Sequence, residues 1–282
     1  MPVAAQPLTS AVAEHGEGPV WHPGWGGLRW VDMLAGDVLS LGADGAVGRT
    51  HLDSVAAVIR PRAGGGMVAA LEDRFALVDP DGTIDRLPPH CPPGVRMNEG
   101  SCDPRGRLYA GSMAWDAAPD GGTLYRLDPD RSVRTVLPAV GISNGLAWSP
   151  DGSTAYYADT TTGRIDVFDD DPEAGLTGRR PFVRVPSEAG APDGLTVDAD
   201  GGVWVALWGG SAVHRYTPDG RLDDRIELPV RQVTACTFGG DRLDELFITT
   251  SRQGLTDPEP LAGALFHAPV GIAGLPVAPF AG

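Results

Sequence analysis

Apolar and polar positions alternate through most of this chain in short runs, each bounded by Gly, Pro or Asp. No long segment carries the 3.6-residue period of an amphipathic helix, so the pattern predicts an all-β chain. One set of strands is expected at 28–31, 107–110, 154–157, 202–205 and 246–249, where aromatic and β-branched residues concentrate. A following set is expected at 37–41, 122–127, 164–168, 212–216 and 264–267. Asp44, Asp81, Asp151 and Asp219, each followed by Gly, sit between strands as turn residues.

These strands belong to a repeat. Glu17-Gly-Pro-Val-Trp-His-Pro23, Asn98-Glu-Gly-Ser-Cys-Asp-Pro104, Asn144-Gly-Leu-Ala-Trp-Ser-Pro150 and Asp193-Gly-Leu-Thr-Val-Asp-Ala199 align position by position. Two weaker copies place Val55 and Thr234 at the same position, making six copies spaced 38 to 49 residues apart. A period near 40 to 45 residues with four short strands per copy predicts a six-bladed β-propeller, a single domain over residues 1–282. No outer strand is evident after His267. Residues about 7–13 are therefore expected to supply it, closing the ring with an N-terminal strand.

Charge and composition exclude several classes. The net charge of −15 argues against nucleic acid, which needs a basic face. Every basic residue is Arg, so Schiff-base catalysis and a P-loop lysine are excluded. Cys91, Cys102 and Cys236 form no C-x-x-C pair and support neither a zinc ribbon nor a disulfide framework. The N-terminus lacks the charged and apolar regions of a secretory signal, and no apolar run approaches the ~20 residues of a membrane helix. A cytoplasmic protein without membrane or nucleic-acid partners is expected.

Residues in one register of a closed ring point at one place. Glu17, Asn98, Asn144 and Asp193 would thus bring two carboxylates and two amides together, an oxygen set suited to Ca²⁺, Mg²⁺ or Mn²⁺, with Zn²⁺ also accommodated. For any one of the Asn-Gly or Asp-Gly pairs a simple turn is an equally open reading. Turn chemistry does not select Glu, however, nor place four oxygen donors in one register. The six histidines show no metal-binding spacing; His15, beside the Glu17 loop, is the one to watch. No G-x-S-x-G elbow or dinucleotide fingerprint is present.

Several segments together carry a family resemblance: Gly16–Trp21, Arg96–Arg107, Ala110–Met113, Ile142–Leu146, Pro192–Gly194 and Cys236–Gly240. Over essentially its whole length the chain resembles the senescence marker protein (regucalcin)/gluconolactonase family. That resemblance implies one divalent metal in the central channel and hydrolysis of a sugar (aldono) lactone, the small-molecule partner. It implies Glu17, Asn144 and Asp193 as metal ligands, with Arg96 and Asn98 holding substrate over the metal. Glu99 stands where relatives usually have Asp, and Asp116 stands for a lid carboxylate that is commonly Glu, beside Trp115. In the mechanism that follows, the metal polarises the carbonyl, Asp193 is the general base, and Arg96 helps to hold the oxyanion. The competing readings are a non-catalytic calcium-binding or interaction propeller, and a related propeller hydrolase acting on a non-sugar lactone or a phosphotriester.

Overall fold

The computed structural model describes residues 4–282; residues 1–3, where the expected domain begins, lie outside the described residues. Twenty-four strands form six four-stranded antiparallel sheets. Each sheet is one blade, and the six stand in a ring. Gly16–His22, Ala56–Pro61, Val95–Cys102, Ser143–Trp148, Ala191–Val197 and Val233–Gly239 are the innermost strands, each packed on the next, with the sixth returning to the first.

The expected strands form within a few residues of their predicted positions. The second strands are Gly27–Asp32, Leu108–Ala114, Thr154–Asp159, Val203–Trp208 and Glu245–Thr250. In the second blade, where the pattern is weakest, that place is taken by Met67–Leu71, every residue of which is buried. A strand buried on both faces reads as a continuous apolar run rather than an alternating one. Between blades the core is built from large side chains set against small ones. Trp204 is fully buried, donates its indole N–H to Asp198 at 2.8 Å, and meets Phe238 of the next blade edge-on at 5.9 Å. Truncating such a residue costs about 3–5 kcal/mol.

Ring closure follows the expectation. Gln6–Pro7 pairs antiparallel with Phe266–Pro269 and completes the sixth blade as its outermost strand. The strand is shorter than the 7–13 expected: Leu8 and Thr9 both donate to Leu265 O, and the chain bends away over 8–11. The third strand of this blade likewise begins at Phe266 rather than at Ala264. At the other terminus, residues 273–281 run as a strap across one face of the ring. It is tied at one end by Ala199 N–H to Ala273 O (2.8 Å), and at the other by Phe280 N–H to Pro61 O (2.7 Å). Leu275, Pro276, Val277 and Ala278 lie between those ties and cover that end of the channel. Among the described residues no helix is long and apolar enough to cross a membrane.

Candidate active site at the channel mouth

Every innermost strand carries a β-bulge near its start, where one or two residues have no partner on the second strand. A bulge bends the strand and re-aims a side chain. In the third, fourth and fifth blades the bulged residues are Asn98 and Glu99, Asn144 and Gly145, and Asp193 and Gly194. In the first blade they are Gly18 and Pro19, and Glu17 just before them remains paired with Val31. Gly18 has φ +47°, which turns its N–H back onto the Glu17 carboxylate at 3.0 Å. In the second blade the register slips from expectation: the bulge releases Ala57, not Val55. Thr234, bulged in the sixth blade, spends its hydroxyl on Gly16 O at 2.6 Å and ties that blade to the first.

The Asn-Gly and Asp-Gly pairs here are not turns. A Cβ on Gly145 would lie 2.4 Å from the Leu195 nitrogen, and one on Gly194 would lie 2.5 Å from the Ala235 Cβ. Glycine is required because adjacent blades nearly touch around the channel.

Glu17, Arg96, Asn98, Asn144 and Asp193 all line one cavity of about 210 Å³ at the mouth of the channel, and each is buried. Asn144 is held in a defined orientation. Thr160 donates its only hydroxyl proton to Pro192 O at 2.8 Å, so it accepts from the Asn144 amide N–H at 3.0 Å. That leaves Asn144 Oδ1 with no hydrogen-bond partner, and Asp193 Oδ1 is also without one. Asn98 is more fully engaged: Oδ1 accepts from Arg96 at 2.7 Å, and Nδ2 donates to Ser143 O at 3.0 Å.

Asp116 falls outside this cavity. The strand ends at Ala114, the chain turns through Ala117 at φ +55°, and the exposed Asp116 carboxylate accepts from Ala118 N–H at 3.0 Å. The resemblance implies a place for this residue at the substrate; in the structure it is not among the residues that line the cavity. Trp115, half-exposed, sits at the rim with the Arg96 guanidinium 5.3 Å from its ring centre.

The rest of the wall comes from the ends of second strands and the turns beside them: Met113, Thr160, Trp208 and Gln253, with Ile142 and His15. Of these His15 stood out in the sequence, and Met113 and Ile142 fall inside the motif segments Ala110–Met113 and Ile142–Leu146; Thr160, Trp208 and Gln253 differ so much in chemistry that no motif marks them.

Electrostatically the site holds more negative charge than it can keep. Burial first, then Asp193 and Glu99, pushes the Glu17 carboxyl well above its usual range. Burial and Glu99 do the same to Asp193. Glu99, buried behind them, is raised from 4.5 to about 7 by burial, against the pull of the buried Arg60. His15 is lowered to about 3, by burial and then by Arg96, and is a neutral imidazole with Nδ1 2.8 Å from the Ser251 hydroxyl. Burial lowers Arg96 to about 10, so it stays protonated.

A pH dependence follows. A carboxyl with a raised folded pKa holds a proton that the unfolded chain releases. Its stabilising contribution is complete below about 4.5 and is lost as pH rises through about 7 for Glu99, by on the order of 3 kcal/mol. Protein stripped of divalent cations should melt about 5–10 °C lower at pH 8 than at pH 5, and added cation should reverse most of that loss. A chelated sample melting equally well at both pH values would show these carboxyls to be ionised without any cation.

The donor set fits a hard divalent ion. Two carboxylates and an amide oxygen, two of their oxygens unpartnered and all three residues buried in one cavity, are what oxygen-preferring cations require. Among the described residues no three His, Cys, Asp or Glu side chains form such a group by themselves, so the Asn144 amide is part of any set at this position.

The family relationship is visible across the chain. Residues 15–252 match the model of the SMP-30/Gluconolactonase/LRE-like region. Regucalcin of Sus scrofa is 35% identical, with 95% of each chain covered. A regucalcin from Agrobacterium tumefaciens, described as a calcium-binding protein, superposes with a TM-score of 0.93 at 28% identity, covering 99% of this chain and 98% of that one. A gluconolactonase from Xanthomonas campestris superposes at 0.77 and 26% identity, over 94% and 89% of the two chains. The chain, with its six bulged inner strands around a buried oxygen cluster, belongs to the SMP-30/gluconolactonase/LRE-like family.

Proposed function

We propose that this protein is a divalent-metal-dependent hydrolase that opens a lactone ring to the hydroxy acid. The observation that carries the reading is the pair of unpartnered oxygens, Asn144 Oδ1 and Asp193 Oδ1, buried in one cavity with Glu17. Glu17, Asn144 and Asp193 would hold the cation, which can be Ca²⁺, Zn²⁺, Mn²⁺ or Mg²⁺ for such donors. When bound it supplies Lewis acidity to a carbonyl oxygen and makes water a better acid.

The chain's own groups do the rest. Asp193 accepts a proton from the water that attacks the carbonyl carbon. Addition of the water forms the new C–O bond and a tetrahedral oxyanion; its collapse breaks the ring C–O bond, and the proton held by Asp193 passes to the departing ring oxygen, which becomes the free hydroxyl. Arg96 spends Nη1 on Asn98 and the Met97 carbonyl, which fixes its plane and leaves the outer part of the fork for a substrate oxygen. Asn98 in turn holds Arg96. The gluconolactonase relative speaks for a lactone as the general substrate class.

Chelation should abolish turnover of lactones, by 100-fold or more in a pH-indicator assay, and leave the strand signal in circular dichroism intact. The apolar blades, not the ion, form the core. Unchanged turnover after chelation overturns metal dependence. Tight cation binding with no turnover of any lactone would return the non-catalytic calcium-binding reading.

A further inference from the structure

The cavity's walls divide its chemistry in two. At its base lie the oxygen donors Glu17, Asn144 and Asp193, with Arg96 and Asn98 beside them. Above them, three consecutive blades present Met113, Ile142 and Trp208, an apolar face with no hydrogen-bonding group but the indole N–H. Trp208 is held edge-on by His15, with ring centres 6.0 Å apart at 82°. At the rim, Trp115 extends the apolar surface over Arg96.

Few polar groups remain free to receive the hydroxyls of a sugar ring. Thr160 has given its proton to Pro192 and takes one from Asn144. His15 Nδ1 is engaged with Ser251. Asp116, the carboxylate that could have met a hydroxyl from the third blade, caps its own turn in solvent. Beyond the oxygen donors at the base, the Trp208 indole N–H, His15 Nε2, the Gln253 amide and the outer edge of Arg96 are left. A ring carrying several hydroxyls would press some of them unpaired against Met113, Ile142 and Trp208, and an unpaired buried hydroxyl is strongly disfavoured. An alkyl or aryl group on the same ring would be buried favourably.

Resting on the lactonase reading above, we infer that the preferred substrate is a lactone whose ring bears an apolar substituent, seated against Met113, Ile142 and Trp208. It is not a polyhydroxylated aldonolactone.

The test is kcat/KM for matched five-membered lactones, unsubstituted, alkyl-substituted and hydroxyl-substituted, with the cation-loaded enzyme. Each added methylene should raise kcat/KM about fourfold until the cavity is filled, and each added hydroxyl should lower it. Ile142→Asn and Met113→Gln, at two separate points of the wall, should each shrink the alkyl-over-hydroxyl ratio by roughly tenfold; either one that folds serves. The change should appear in KM and kcat/KM for the alkyl substrates more than for the hydroxylated ones. Hydroxylated lactones turned over as well as or better than alkyl ones would overturn the inference and leave the lactonase reading standing. Ratios unmoved in both variants would remove this wall from substrate contact. No turnover of any lactone would overturn both.

Discussion

Asp193→Asn should lower kcat by about 10²–10⁴-fold at saturating divalent cation. The substitution keeps the size of the side chain and one oxygen for the metal, but it removes the carboxylate best placed to take a proton from water, a role typically worth that factor. The environment sharpens the expectation. Asp193 sits in a cavity with Glu17 and beside Glu99, and burial raises its proton affinity well above that of an ordinary aspartate. That is the direction a base working near neutral pH requires. Weaker cation binding should accompany the loss, since one negative charge leaves the donor set. Measuring kcat against cation concentration separates the two effects. If more than about a tenth of parental kcat survives at saturation, the base lies elsewhere. Glu99, near 7, is then a better candidate than His15, which burial holds at about 3.

A different aspartate carries the largest expected effect on stability. Asp198 is fully buried and accepts four hydrogen bonds. They come from the N–H groups of Gly202 (2.7 Å) and Asp200 (3.0 Å), the Trp204 indole (2.8 Å) and the Arg215 guanidinium (2.8 Å). Asp198→Ala would strand a buried cation and three buried donors, a defect that costs about 3–5 kcal/mol. Melting should fall by about 5–10 °C, with lactone kcat in the folded fraction unchanged, since the residue lies away from the cavity. Asp81→Ala, at an exposed turn where the side chain accepts only Thr83 N–H at 2.9 Å, is the control and should melt like the parent. Equal melting of the two variants would show that Arg215 finds compensation in Asp223, its other partner.

The sequence made the blades legible because burial imposes period-two patterning and turns impose Gly, Pro and Asp at fixed intervals. It also made the oxygen donors legible, because Asn98, Asn144 and Asp193 share a bulge that the repeat preserves. What it could not reveal was geometry that depends on a neighbouring blade. Gly145 and Gly194 look like turn glycines, yet what demands them is Leu195 and Ala235 one blade further on. Val55 matched the repeat by its distance from Pro61, but the ladder places the unpaired residue at Ala57. Asp116 looked like a pocket carboxylate on motif alone; its actual direction is set by a local turn with Ala117 in the left-handed region. The wall residues Thr160, Trp208 and Gln253 come together only once three second strands are side by side.

The pairing of Gln6–Pro7 with Phe266–Pro269 also sets a timetable. Blades one to five are each made from a continuous stretch of chain and can assemble as the ribosome delivers them. The sixth cannot. Gln6–Pro7 must wait, unpaired, until Phe266–Pro269 has emerged, and during that wait the sixth blade lacks its outer strand. Because the first and sixth innermost strands pack together, Glu17 reaches its final surroundings only once Val233–Gly239 has been made and has docked on the first blade. A chain halted before Phe266 keeps the Thr234–Gly16 tie between the sixth and first blades but lacks the strand pair that completes the sixth blade and covers its edge.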